Sequence, residues 1–595
     1  MAKHNTALAL AVTAVLSGLY GCTPEPPPFD PHTLQRYNRQ AALGVAARPM
    51  AQLGTTLDDT YMPQRSGVLT TPTTAPTTGP ALSDDPAVHL TLQEAIQRAV
   101  NNNMEIRVAG YDPAINSNRV VEAEAAFDPV FYINPSYQRS NRLNGGVQSS
   151  IFSPSTFETD TDTYKLATGI KQDLPTGGQI QMQYATARVK NTPSTSQVNP
   201  FWNNELSLQL NQPLLRNLGS ETNTARITIS RNDQRISVLD FRGKVEDTLI
   251  TIEQNYWQLV AATRTVAIQE ELLRQTVETA ELLSKRGAQD VTRVQTSQAN
   301  LAVQQRRAQL IRQKTQVRDI SDKIKQLMND PMLPVSSSAL IHPASNPLQT
   351  PIHFDLKEMI DSAMEHRFEL AQQALRIDSE SVRSRVAKNN MLPKLDTQMA
   401  IIAQGLDKNF SGAVDSQNQY NHLDYTLGLQ FEVPIGNRAA RAIFRRTLLG
   451  RLAAISQYRL VLDQVALEVK ISYRNVQTTW DEMISNRQAR LAAADTLEAI
   501  VFREKEGSEP LTPTFVQLKL DTQSRLADAA RSEIEATSNY NLAVAQLERA
   551  KGTLLKYDNV LMEEDQAVFR ARYRAEVAGA MRDPKGKVSQ PPTAP

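Results

Sequence analysis

Few residues in this chain have types and spacing suited to chemistry. Cys22 is the only cysteine in 595 residues, so the chain can form neither an internal disulfide nor a multi-thiolate metal site. The seven histidines, at 4, 32, 89, 342, 353, 366 and 422, form no close pair and no zinc-ligand spacing. Ser, His and acidic residues are scattered without a shared turn or glycine-rich elbow. No catalytic residue, metal site or cofactor is therefore expected, and the chain does not read as an enzyme. What chemistry there is gathers at Cys22. Lys3 supplies a weak positive start, and Thr6 to Leu16 is an apolar run too short to span a bilayer. Leu19-Tyr20-Gly21-Cys22 then resembles a bacterial lipobox, where a leader is cut and the new N-terminal cysteine is lipidated. A plain secretory signal with an incidental cysteine is the simpler alternative.

The elements behind that cysteine are helices and strands of unusual regularity. Residues 22–87 are rich in Pro and Thr, bury little, and are expected to be a disordered tether. The segments LTLQEAIQRAVNNNMEI from Leu90 and FDLKEMIDSAMEHRFEL from Phe354 then repeat one pattern. Leu92, Ala95, Ile96 and Ala99 match Leu356, Met359, Ile360 and Ala363, one face of a helix. Thr91 and Asp355 read as N-caps, each with a glutamate three residues on, the capping-box pattern. Leu92 to Pro129 and Leu356 to Pro393 are the same step, 37 residues. Both prolines should end helical stretches and open extended ones, and Pro113 should kink or break the first stretch. Pro213 and Pro434 mark the far ends of the extended regions. Those regions differ by 43 residues, so the unit is duplicated with one insertion in the first copy.

The extended regions alternate with period two, as in Leu206, Leu208, Leu210 and in Tyr425, Leu427, Leu429, Phe431. The insertion adds Tyr164-Leu166-Ile170 and Ile180-Met182-Tyr184 around the turn Pro175-Thr176-Gly177-Gly178. It either adds a strand pair or lengthens an outer hairpin. One apolar and one polar face over such lengths fits a transmembrane β-strand beside water. Long helices follow each region, from Thr224 to about Arg286 and from Ala439 to about Lys505. Val245, Leu249, Ile252, Tyr256 and Leu259 step like a coiled-coil seam, as do Leu462, Val465, Val469, Tyr473, Val476, Trp480 and Met483. Each helix would be roughly 95–100 Å long at the α-helical rise. Return helices are expected over about 292–327 and about 514–555.

From about 88 to 560 the chain resembles the TolC-like outer-membrane efflux protein family, lipoprotein type. The order of elements carries the resemblance, with Leu92-Gln93-Glu94-Ala95-Ile96 through Asn103, the strand exits Pro213 and Pro434, and Val516 through Leu526 to Gly552. It implies an α+β membrane protein: a long α-helical barrel plus a transmembrane β-barrel, formed by a homotrimer with two internal repeats per protomer. The expected organisation is a leader over 1–21, the tether over 22–87, a first repeat over 88–335 and a linker over 336–353. A second repeat over 354–560 and a polar tail over 561–595 follow.

The implied function is a passive outer-membrane exit duct for drugs or metal ions, fed by an inner-membrane pump through a periplasmic adaptor protein. Thr23 rather than Asp follows Cys22, which favours lipid anchoring in the outer membrane, and the resemblance implies a helical barrel in the periplasm. The resemblance places a periplasmic gate carboxylate at Asp521, with Leu518 standing where a second acid would be expected. A solvated helix-face carboxylate is the alternative for Asp521. Adaptor contacts fall at the hairpin tips, Arg286, Gly287, Glu506 and Gly507, where both glycines also serve the turn itself. The rivals are a protein-secretion duct of the same fold and a periplasmic coiled-coil scaffold. A balance of 64 basic and 63 acidic residues gives no reason to expect nucleic acid.

Overall fold

Both repeats open with a helix that breaks at the same point. The computed structural model describes residues 87–146, 155–192, 198–286, 293–506 and 512–560. The leader, Cys22, the tail, Gly287 and Gly507 lie outside them, as does the tether apart from Ala87. Strand β1 (Ala87–Leu90) leads into α1 (Leu92–Asn102), α2 (Met104–Ala109) and α3 (Tyr111–Glu124). Thr91 caps α1 with the full reciprocal box to Glu94. Asn103 leaves the helical region, and its side chain accepts from the amides of Glu105 at 2.7 Å and Ile106 at 3.1 Å, starting α2 afresh. Pro113 thus breaks nothing: the interruptions fall before it, at Asn103 and Gly110, and it sits in the first turn of α3, where its missing N–H has no helical partner to lose.

The strands β2 (Val130–Gly146), β3 (Ser155–Asp173), β4 (Gln179–Thr192) and β5 (Phe201–Pro213) come next. The long α4 (Ala225–Arg286), the return α5 (Arg293–Met328) and β6 (Leu340–Pro343) complete the first half. The second half runs α6 (Leu356–His366), α7 (Phe368–Asn389), β7 (Lys394–Asp407), α8 (Phe410–Asn418) and β8 (Leu423–Glu432). It ends with α9 (Arg438–Lys505) and α10 (Pro513–Lys551). Arg367, the counterpart of Asn103, is extended between α6 and α7. Asp355 caps α6 through the Lys357 amide rather than through a full box. Helix α10 stops some four residues short of the sequence expectation because Gly552 takes the left-handed conformation, φ 75°, and caps it.

The chain forms two compact units, each drawing on both repeats. In one, containing 240–370 and 461–560, helices pack around a core of Leu249, Ile252, Tyr256, Leu259, Ile324 and Met328. All five predicted first-repeat seam residues are buried, whereas Tyr473 and Trp480 of the second are half-buried. A two-stranded parallel sheet, β1 with β6, closes this core, and β6 lies in a stretch the sequence reads as linker. The Tyr256 hydroxyl donates to the Leu90 carbonyl and accepts from the Ser345 amide, both at 3.0 Å, and so pins both strands' ends to α4.

The other unit, containing 112–239 and 371–460, holds a six-stranded sheet in the order β2-β3-β4-β5-β7-β8, antiparallel throughout. The first repeat supplies four strands and the second two. The inserted hairpin β3–β4 lies within the sheet, between β2 and β5. Its turn needs Gly177, at φ 92°. The four marker prolines lie at strand–helix junctions: Pro129 precedes β2, Pro393 precedes β7, Pro213 ends β5 and Pro434 follows β8. Bonds join the two repeats there, Leu214 N to Leu395 O and Asn217 N to Asn389 Oδ1, both 2.7 Å.

Candidate functional site

The sheet separates its residues by chemistry. Along the rungs, Ile170, Met182, Leu208, Ile401 and Tyr425 succeed one another across five strands, with Phe131 of β2 paired to Ile170. The opposite rungs carry Lys171, Gln181, Gln209, Ala400 and Thr426. Most large apolar residues of the first face are exposed in a single chain, among them Phe131, Ile133, Leu427, Leu429 and Phe431. A stripe of this size on a lone sheet demands a further apolar partner or an apolar solvent. Helix α8, which the sequence reading did not separate from the strands around it, covers one end of that face. It buries Ala413 and Gln417 against β7 and β5, with Trp202 and Phe410 edge-on at 5.4 Å.

The helix ends form the second feature. Arg286 is the last residue of α4, and Glu506, exposed, follows α9. Thr512 starts the return helix by accepting from Phe515 N, with Pro513 at the first helical position. Lys519 Nζ meets Glu504 at 2.7 Å and ties α10 to α9, both side chains largely buried. Behind them Ala280, Leu283, Ala299, Val303, Val516 and Leu520 join α4, α5 and α10 in one apolar cluster.

Arg306 of α5 bridges these helices. Its Nη2 donates to the Leu520 carbonyl at 2.8 Å and its Nη1 to Gln523 Oε1 at 3.3 Å, while Nη1 also meets Thr276 Oγ1. Burial lowers its pKa, and the Asp521 and Asp528 carboxylates oppose that shift. An arginine stays charged under such a shift. Asp521 itself is exposed, accepts from Gln517 Nε2 at 2.8 Å, and lends its charge to the buried guanidinium. Leu518, one turn away, is also exposed.

Sequence reasoning named Asp521, which the structure leaves as an exposed carboxylate, and did not name Arg306. The signal was its place on the Ala299, Val303, Arg306 seam, a charge where an apolar residue is due. It also missed that β1–β6 pairing brings His89 and His342 together, ring centroids 5.7 Å apart. Burial, with the neighbouring His89, depresses the His342 pKa. Tyr256 and Trp257 are buried in the core, and the Trp480 ring lies tilted against Tyr540 with centroids 5.2 Å apart, so these aromatics are packing residues.

No family model matches the chain. Among curated proteins it is similar to the outer membrane protein TolC of Vibrio cholerae, 27% identical over 205 residues, which is 34% of this chain and 44% of that protein. The match thus spans less than half the length of that relative. Solved structures extend further. VceC, an outer membrane protein of Vibrio cholerae, aligns over 78% of this chain and 96% of its own at TM-score 0.54 and 15% identity. The open state of the MtrE outer membrane channel of Neisseria gonorrhoeae aligns over 78% and 89%, at 0.53 and 15%. The outer-membrane channel OprN aligns over 78% and 90%, at 0.55 and 14%. The fold is that of these channels.

Proposed function

We propose that this chain, a TolC-like outer-membrane efflux protein in fold, is a passive exit duct of the bacterial outer membrane for small molecules, drugs or metal ions. The observation that carries this reading is the six-stranded sheet, apolar and exposed on one face and polar on the other. No helix among the described residues is long and apolar enough to cross a membrane. The sheet provides the alternative route: its apolar face meets lipid and its polar face lines water. Unpaired edges are not tolerated in lipid, so copies of the chain, three in this reading, close the barrel together.

The helices then project into the periplasm, where an adaptor protein joins the duct to an inner-membrane pump that supplies the energy. The tips at Arg286, Gly287, Glu506 and Gly507 meet that adaptor. The Arg306 bridge and the Glu504–Lys519 pair hold the hairpins together in the closed state, and opening splays them. Symmetry-related Asp521 carboxylates attract cations at the entrance. A lipid on Cys22 tethers the chain to the same membrane, with 22–87 as slack between anchor and first helix.

The test is removal of the chain from its native cell. Accumulation of drugs or metal ions and a lowered tolerance to them are expected. Unchanged tolerance with a secreted protein missing from the medium would replace this cargo with protein.

A further inference from the structure

We infer that the inserted hairpin β3–β4 is barrel wall, and that β2 of one copy pairs antiparallel with β8 of the next to close an eighteen-stranded barrel. The inference rests on the duct reading for its three copies and goes beyond it in strand number, register and bore. The second repeat shows what the duplicated unit needs, which is two strands, β7 and β8. Two such units give four strands per chain. The described residues form six in one continuous sheet, because β3 and β4 are laddered to β2 and β5 rather than folded away from them.

The edges are β2 and β8, each with one neighbour among the described residues. They run in opposite directions, since β2 pairs antiparallel with β3 and four further antiparallel steps lead to β8. Pro135 on β2 has no N–H to donate, so β2 forgoes one ladder bond there.

The register across the missing contact follows from the sheet itself. The rung from Val130 passes through Lys171, Gln181, Gln209 and Ala400 to Thr426. Thr426 stands six residues before Glu432, the end of β8, so the sheet steps by six residues over its six strands. One residue per strand, at about 3.3 Å against about 4.8 Å between strands, is a tilt of about 35°, inside the range of transmembrane barrels. Level strand ends then place Val130 of one copy beside Glu432 of the next.

An even step keeps apolar residues on one face, which a slip of one would invert. It sets Phe131 beside Phe431, Ile133 beside Leu429 and Tyr137 beside Tyr425. In the single chain these six residues are 65%, 64%, 57%, 70%, 56% and 68% exposed, in that order. Like is thus matched with like along an edge that no other strand among the described residues covers. At this tilt eighteen strands give a barrel about 33 Å across between backbones, and twelve give about 22 Å.

Two measurements decide the matter on the full chain. In outer membranes, oxidation of Ile133→Cys with Leu429→Cys should give a covalent ladder ending at three chains, with the parent chain as control. Tyr137→Cys with Leu429→Cys, four residues out of register, should cross-link at least about tenfold less, since a disulfide spans only about 4 Å between Cβ atoms. Absence of the in-register ladder, or equal yields from both pairs, would overturn the pairing. In images of the purified particle the barrel should measure about 33 Å, and deleting 155–192 should narrow it about 1.5-fold. A barrel of about 22 Å in the full chain, or one unchanged by the deletion, would overturn the wall assignment. Ladder and diameter as expected, in a chain whose loss changes no export, would uphold this barrel and refute the duct.

Discussion

Replacing Arg306 by methionine should open the helical tip. Arg306 is 8% exposed, and its guanidinium reaches three partners on two other helices, Thr276 of α4 and Leu520 and Gln523 of α10. Hydrogen bonds to a charged group contribute about 1.5 kcal/mol each at the low end, or about 4.5 kcal/mol for three. Removing the buried charge also removes its desolvation cost, so the net loss is smaller, about 2 kcal/mol. If all three contacts break on opening, the closed state loses that amount relative to the open one, about thirtyfold in the equilibrium. Methionine keeps the length and the packing, so the apolar cluster behind it should hold. Single-channel recording in planar bilayers reads the open probability directly. Arg306→Lys, which keeps the charge but loses the planar fork, should fall between the parent and Arg306→Met. An Arg306→Met channel with unchanged open probability would refute the bridge as a closing contact, even if its melting temperature fell.

Four further outcomes are expected. Asp521→Ala should raise conductance and weaken cation selectivity; unchanged values for both would return Asp521 to a solvated helix face. Glu253 is buried beside Asp558, and burial with that neighbouring carboxylate pushes its pKa up to about 9. The folded state therefore binds a proton that the unfolded state has released, so stability is full below about pH 4.5 and falls towards pH 9, by at most about 1.4 kcal/mol per pH unit for one proton. Glu253→Gln should flatten that slope in thermal melts between pH 6 and 9, ranges set by the same shift. Tyr256→Phe should cost about 1–3 kcal/mol in the same melts, because the Leu90 carbonyl and Ser345 amide lose their shared partner. Cys22→Ser, with an ordinary cleavable leader, should still give outer-membrane trimers, as gel mobility of the unboiled protein would reveal.

How much of this was legible in the sequence depended on the range of each interaction. Helices α4 and α9 matched their predicted bounds to within a residue or so, because Leu249, Ile252 and Leu259 repeat a local period over many turns. The hairpin around Gly177 was equally legible, but its membership in the sheet was not, since the outer partners of β3 and β4 lie on β2 and β5, outside the hairpin. Strands β1 and β6 are four residues each and pair across some 250 positions, too short for a pattern and too distant for a turn signal. The breaks at Asn103 and Arg367 sit inside continuous apolar periodicity, and the reading of the sequence passed over both. Arg306 was hidden among other arginines of α5, because its partners come from α4 and α10.

An image of the purified, detergent-solubilised particle asks whether three copies build one duct. A threefold particle is expected, with an axial lumen running from a β-barrel into a helical tube about 100 Å long, the length set by the long helices. A monomer, or an assembly without a lumen on its axis, would contradict the duct.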